Sequence, residues 1–132
     1  MTKQFTRYGN LLPLDFNLTR DDSGISRVYR DTDGNVYQSV TSFVGKHSSG
    51  KEAIEQWKNS IGEEEAGKVL RAAGIRGTAI HLACEQLLTG QDWSNISMFY
   101  KSDFLTIKKH LELHVDNIFA LEHQMYSKRL GL

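Results

Sequence analysis

The segment Arg76-Gly77-Thr78-Ala79-Ile80-His81-Leu82-Ala83-Cys84-Glu85-Gln86-Leu87-Leu88 concentrates the residue types able to do chemistry. Ile80, Ala83, Cys84 and Leu87 recur at i, i+3, i+4 and i+7, which predicts a helix with one face packed inward. His81 and Glu85 share the next stripe, one turn apart, at the border between packed and solvent-facing surface. An imidazole and a carboxylate so placed suit a divalent metal or a phosphate. They suit equally an interfacial histidine hydrogen-bonded to the glutamate at i+4. If a helix opens at Arg76, Gly77 and Thr78, these residues present a guanidinium, a hydroxyl and backbone amides to a phosphate. Arg76 also fits a surface role, its stem laid over the core.

Ser39 and Thr41 precede a second helical pattern. Hydroxyls there cap free amides, and the same amides, with the helix dipole, attract a phosphate. His110 and His114 are spaced i, i+4, a zinc-capable spacing, but no glutamate of an HExxH motif accompanies them. His114 lies beside the stripe Ile107, Leu111 and Ile118, where a packed structural histidine is the commoner outcome. Trp57, Trp93, Tyr37, Phe43, Phe99 and Tyr100 are stacking surfaces for single-stranded bases, or core. Glu63-Glu64-Glu65 complements the dipole of a helix first turn after Gly62.

The elements that position these residues are legible in outline. Residues 1–25 read as an irregular arm holding the one proline, Pro13. Residues 26–31 and 36–40 flank Asp31-Thr32-Asp33-Gly34-Asn35, and this turn chemistry predicts a β-hairpin. From Thr41 to Gly90 the pattern is helical, and glycines at 45, 50, 62, 74 and 77 predict several short helices. Phe104, Ile107, Leu111, Val115 and Ile118 predict a helix over 103–117. The alternation that follows predicts a strand from about 119 into 132.

At 132 residues and 39% hydrophobic content the chain suits one domain with a modest core. Sixteen basic residues balance sixteen acidic ones, so net charge names no partner. A single cysteine, Cys84, forms no internal disulfide and belongs to no zinc-ligand spacing, which fits a reducing cytoplasm. No apolar leader core follows Met1, and no run approaches the roughly 20 apolar residues of a membrane span.

Three ordered motifs resemble the RecB-like PD-(D/E)XK exonucleases, which include the mitochondrial genome maintenance exonucleases and their phage relatives. A hairpin runs into Ser39-Val40-Thr41; Arg76-Gly77-Thr78 is followed by His81 and Glu85; and Glu122, Tyr126, Ser127, Leu130 and Gly131 match a Glu-x-x-x-Tyr-Ser-x-x-Leu-Gly element. The resemblance implies that His81 is a catalytic-site ligand of Mg²⁺ or Mn²⁺, with manganese slightly favoured by an imidazole. It implies that Glu122 is an outer ligand or water-positioning base, where the residues alone allow an exposed strand carboxylate. It also implies that Ser39, Thr41, Arg76, Gly77 and Thr78 touch DNA backbone.

The family's remaining acids do not arrive. No lysine of this chain has Asp or Glu two positions earlier, so no D/E-x-K is present, and the expected Gly-x-x-Asp strand would follow Gly131. The expected architecture is therefore helix-rich α+β: residues 26–132 as the N-terminal part of a nuclease domain, with the first strand of an incomplete restriction-endonuclease-like sheet. The expected function is a portion of a metal-dependent DNA exonuclease, in a bacterial or phage-infected cytoplasm, or in mitochondria if a longer precursor exists. A truncated chain, a split gene product or a half docking with a second polypeptide would each account for the missing acids. The alternative is a non-catalytic DNA-binding or protein-interaction module, inhibitory in one version, derived from that fold.

Overall fold

A computed structural model describes residues 3–8 and 17–132, and shows an α+β chain that falls into two compact units. The first comprises residues 1–12 and 61–121, the second residues 13–60 and 122–132. Part of the expected arm, at residues 1–2 and 9–16, lies outside the described residues.

In the first unit two long helices, α3 (Glu63–Thr89) and α4 (Met98–His114), pack together beside a parallel pair of short strands, β1 (Thr6–Arg7) and β5 (Asn117–Ile118). Phe5, Ala83, Leu87 and Phe104 form the buried core, with Leu88, Trp93, Leu111, Val115 and Ile118 packed on it. The inward face expected from Ile80, Ala83, Cys84 and Leu87 is thus real, with Ile80 also buried. Glu63, Glu64 and Glu65 open α3 as expected, and Lys68 reaches back to Glu64 and Glu65. At the other end Gly90 takes a left-handed conformation, φ 73°, that closes α3 with its amide on Gln86 and Leu87 carbonyls. Arg7 then donates from Nε to the Leu88 carbonyl at 2.6 Å, so a strand residue satisfies one of the last helix acceptors.

Two expectations fail in this unit. Gly74 and Gly77 do not divide the chain into short helices; α3 runs through both for 27 residues. An interior glycine costs about 1 kcal/mol relative to alanine, too little to break a helix whose other face is packed. His114 is exposed rather than packed, its ring stacked on His110 with centroids 6.1 Å apart.

The second unit contains an antiparallel three-stranded meander, β2 (Thr19–Asp21), β3 (Val28–Arg30) and β4 (Val36–Gln38). The helix α1 (Val40–His47) follows, and α2 (Gly50–Ile61) leads out of the unit. The hairpin is where its turn residues place it. Thr19–Asp21, expected to be irregular, is a third strand because β3 offers it a paired edge. The strand expected over 119–132 does not form beyond Ile118. Extended chain needs a neighbour for its amides. Here Glu122 (φ 51°) and Gly131 (φ 67°) are left-handed, and residues 127–132 close a turn on Ser127. A single bond from the Gln38 amide to the Gly131 carbonyl, 2.8 Å, ties that turn to β4.

Asp31 organises the hairpin loop. Its carboxylate accepts the Asp33 and Asn35 amides, the Asn35 side chain and, at 2.7 Å, the Tyr37 hydroxyl. The Asn35 side-chain bond leads in holding the carboxyl down at about 2, with the Tyr37 and backbone bonds adding to it. Because the folded value is depressed, the loop's contribution is fully present above the ordinary carboxylate range near 4. It is lost as pH falls toward 2. An NMR titration of the Asp31 side-chain carbonyl is expected to give a midpoint near 2, and a midpoint near 4 would deny these bonds.

Candidate functional site

The start of α1 is built around Ser39. Its backbone is extended and its hydroxyl accepts the Ser42 amide at 3.1 Å, the bond of an N-cap. Ser39 Oγ also lies 2.8 Å from Thr41 Oγ1, and Ser39 is buried while Thr41 is exposed. The first helical bond runs from the Phe43 amide to the Ser39 carbonyl, so the Val40 and Thr41 amides precede the hydrogen-bonded ladder. Replacing Ser39 by alanine is expected to cost about 1 kcal/mol, read as a lower urea midpoint with an unchanged slope. An unchanged midpoint would show that the cap is idle.

This helix start borders a cleft of about 340 Å³ within the second unit. Tyr29 and Tyr37 meet it from directly opposed positions on β3 and β4, and Tyr126 packs edge-on against Tyr37 with centroids 5.0 Å apart. Burial foremost, then the bond to Asp31, pushes the Tyr37 phenol up to about 12, so it remains a protonated donor. Arg27 also lines the cleft, its Nε bound to Asp22 at 3.0 Å. Tyr126 stood out in the sequence only as part of the family-like Tyr-Ser element, and Tyr29 and Arg27 did not stand out. The available signal was the pair Tyr29 and Tyr37, each two positions from the loop 31–35, which a hairpin register places side by side.

His81 and Glu85 lie exposed on α3, beside the buried stripe, as the spacing predicts. Among the described residues no hydrogen bond joins them. Arg76, Gly77 and Thr78 do not open a helix; they sit in the interior of α3, thirteen residues after it begins at Glu63. Their amides belong to the ladder, so the expected phosphate site at a helix N-terminus is absent there. Arg76 instead pairs with Asp103 of α4 at 2.9 Å, an exposed bridge worth no more than about 1 kcal/mol. Its guanidinium remains on the surface of the His81 helix.

Glu122 is exposed and left-handed in a bend rather than on a strand, so the expected catalytic-sheet position is not formed there. It belongs to the second unit, His81 to the first. In neither unit do three His, Cys, Asp or Glu side chains gather among the described residues. Magnesium-type sites take several oxygen ligands. The residues present therefore do not by themselves fit the Mg²⁺ or Mn²⁺ that the resemblance implies. Burial pushes the Cys84 thiol up, away from the thiolate that binds soft metals. His110 and His114 remain a pair without a third ligand among the described residues.

No known protein family, curated protein or solved structure matches this chain. The functional reading accordingly rests on the residues and their placement. No described helix is long and apolar enough to cross a membrane.

Proposed function

We propose that this chain is the N-terminal, DNA-contacting portion of a metal-dependent exonuclease of the PD-(D/E)XK type, whose acidic residues and lysine lie outside these 132 residues. The observation that carries this reading is the start of α1. Ser39 caps it, and Thr41 and two amides outside the helical ladder stand beside a cleft. A phosphate oxygen finds there the donors and the positive end of a dipole. On the other unit, His81 offers an exposed imidazole with Glu85 one turn away, two of the donors that a divalent cation would need. The rest of a restriction-endonuclease-like sheet, including the strand that would carry Glu122 into a site, belongs to this proposal. Its order would come from the added strands.

Within that reading the chain's own residues bind and orient. Ser39 and Thr41 hold the DNA backbone in register, Arg76 exchanges Asp103 for a phosphate, and His81 presents one ring nitrogen to the metal. When bound, Mg²⁺ or Mn²⁺ would supply charge neutralisation at the scissile phosphate and an acidified water.

The test is reconstitution. The 132-residue chain, mixed with a polypeptide carrying Gly-x-x-Asp and D/E-x-K strands plus Mn²⁺, is expected to release nucleotides from DNA ends. One rival, a non-catalytic DNA-binding or inhibitory module, fits 132 residues without D/E-x-K and the lack of three clustered ligands among the described residues of either unit. That rival wins if DNA or the second polypeptide binds while no mixture cleaves.

A further inference from the structure

We infer that the cleft beside α1 holds one nucleobase as well as a phosphate, with Tyr29 and Tyr126 as its stacking walls. The phosphate end rests on the proposal above; the base end rests on a separate set of residues. Tyr37 is buried, bonded to Asp31 and fixed against Tyr126, so it forms a rigid floor. Tyr29 stands directly opposite Tyr37 on the ladder, and both Tyr29 and Tyr126 are half-buried where they line the cleft. Aromatic rings held in this way lose little entropy on stacking and accept any base, since every base has a π face.

The surrounding polar groups fit the same occupant. Gln38 and Gln124 line the cleft with amides able to donate to and accept from a base edge. Arg27, bonded to Asp22 and to the Tyr29 hydroxyl, holds a positive charge at the edge of the cleft. The volume, about 340 Å³, lies at the small end of ligand sites, space for one nucleotide rather than a stacked run. An apolar peptide would leave the two amides unanswered; a free phosphate would leave the tyrosines unused.

Amide NMR on the intact chain, titrated separately with dTMP, 2-deoxyribose 5-phosphate and thymidine, tests the assignment. dTMP is expected to bind most tightly and to shift Tyr29, Tyr126 and Thr41 together. The sugar phosphate is expected to act at Thr41 alone, and thymidine at the tyrosines alone. Tyr126→Leu is expected to weaken dTMP on the order of 10-fold while leaving the sugar phosphate unchanged, and Tyr126→Phe is expected to retain the affinity. The inference is overturned if dTMP binds no better than the sugar phosphate, or if Tyr126→Leu, with its other amide shifts intact, binds dTMP as the parent does. Failure of reconstituted cleavage with dTMP still in the cleft would sink the nuclease reading alone. Cleavage with no base-dependent shift would sink this inference alone.

Discussion

Phe104→Ala is expected to cost the first unit about 3–5 kcal/mol, the range for truncating a well-packed aromatic. Phe104 is wholly buried; its ring lies 5.1 Å from that of Trp93 and packs with Phe5, Ala83 and Leu87. The loss combines the transfer energy of the ring atoms with a cavity bounded by two long helices that cannot collapse without losing their own contacts. A unit of about 70 residues is expected to hold only about 4–10 kcal/mol in total. One substitution therefore removes from about a third to all of that stability. In a Trp57→Phe background Trp93 becomes the sole indole, and its emission reports the transition directly. A loss below about 1 kcal/mol would show that Phe104 is not the centre of this core.

The same substitution separates what the sequence could state from what it could not. The core stripe of α3 was readable because Ile80, Ala83 and Leu87 repeat at the helical period, and burial follows period. The hairpin was readable because Asp31, Gly34 and Asn35 carry turn chemistry that needs no distant partner. Glycine punctuation misled, since Gly74 and Gly77 only tax a helix whose continuation is secured by α4. That error also displaced the candidate site, because Arg76, Gly77 and Thr78 lost their helix N-terminus. The strand expected over 119–132 failed for the opposite reason. Alternation shows what a strand would bury, whereas forming one requires a neighbouring backbone, and only Asn117 and Ile118 meet one, in β1. The helix start at Ser39 was readable because a cap is a local bond between a side chain and its own next turn.

His81→Ala is expected to lower nucleotide release by the reconstituted nuclease on the order of 100-fold or more. Substitutions one shell further from a metal already cost about 10- to 100-fold, and a ligand should cost at least the upper value. The structure frames the rival explanations. If His81 served only to pair with Glu85 on the surface of α3, its removal would cost a few tenths of a kcal/mol and leave release nearly unchanged. Glu85→Ala would then mimic it. No bond joins the two side chains among the described residues. A ligand role also predicts a readout apart from turnover: calorimetric Mn²⁺ affinity of the reconstituted pair should fall in His81→Ala, more for Mn²⁺ than for Mg²⁺, because imidazole suits the softer ion. DNA affinity measured without metal should stay unchanged in the same variant, since the backbone contacts are assigned to Ser39, Thr41 and Arg76. Unchanged Mn²⁺ affinity together with unchanged release would return His81 to an ordinary surface histidine and leave the DNA-binding module as the surviving reading.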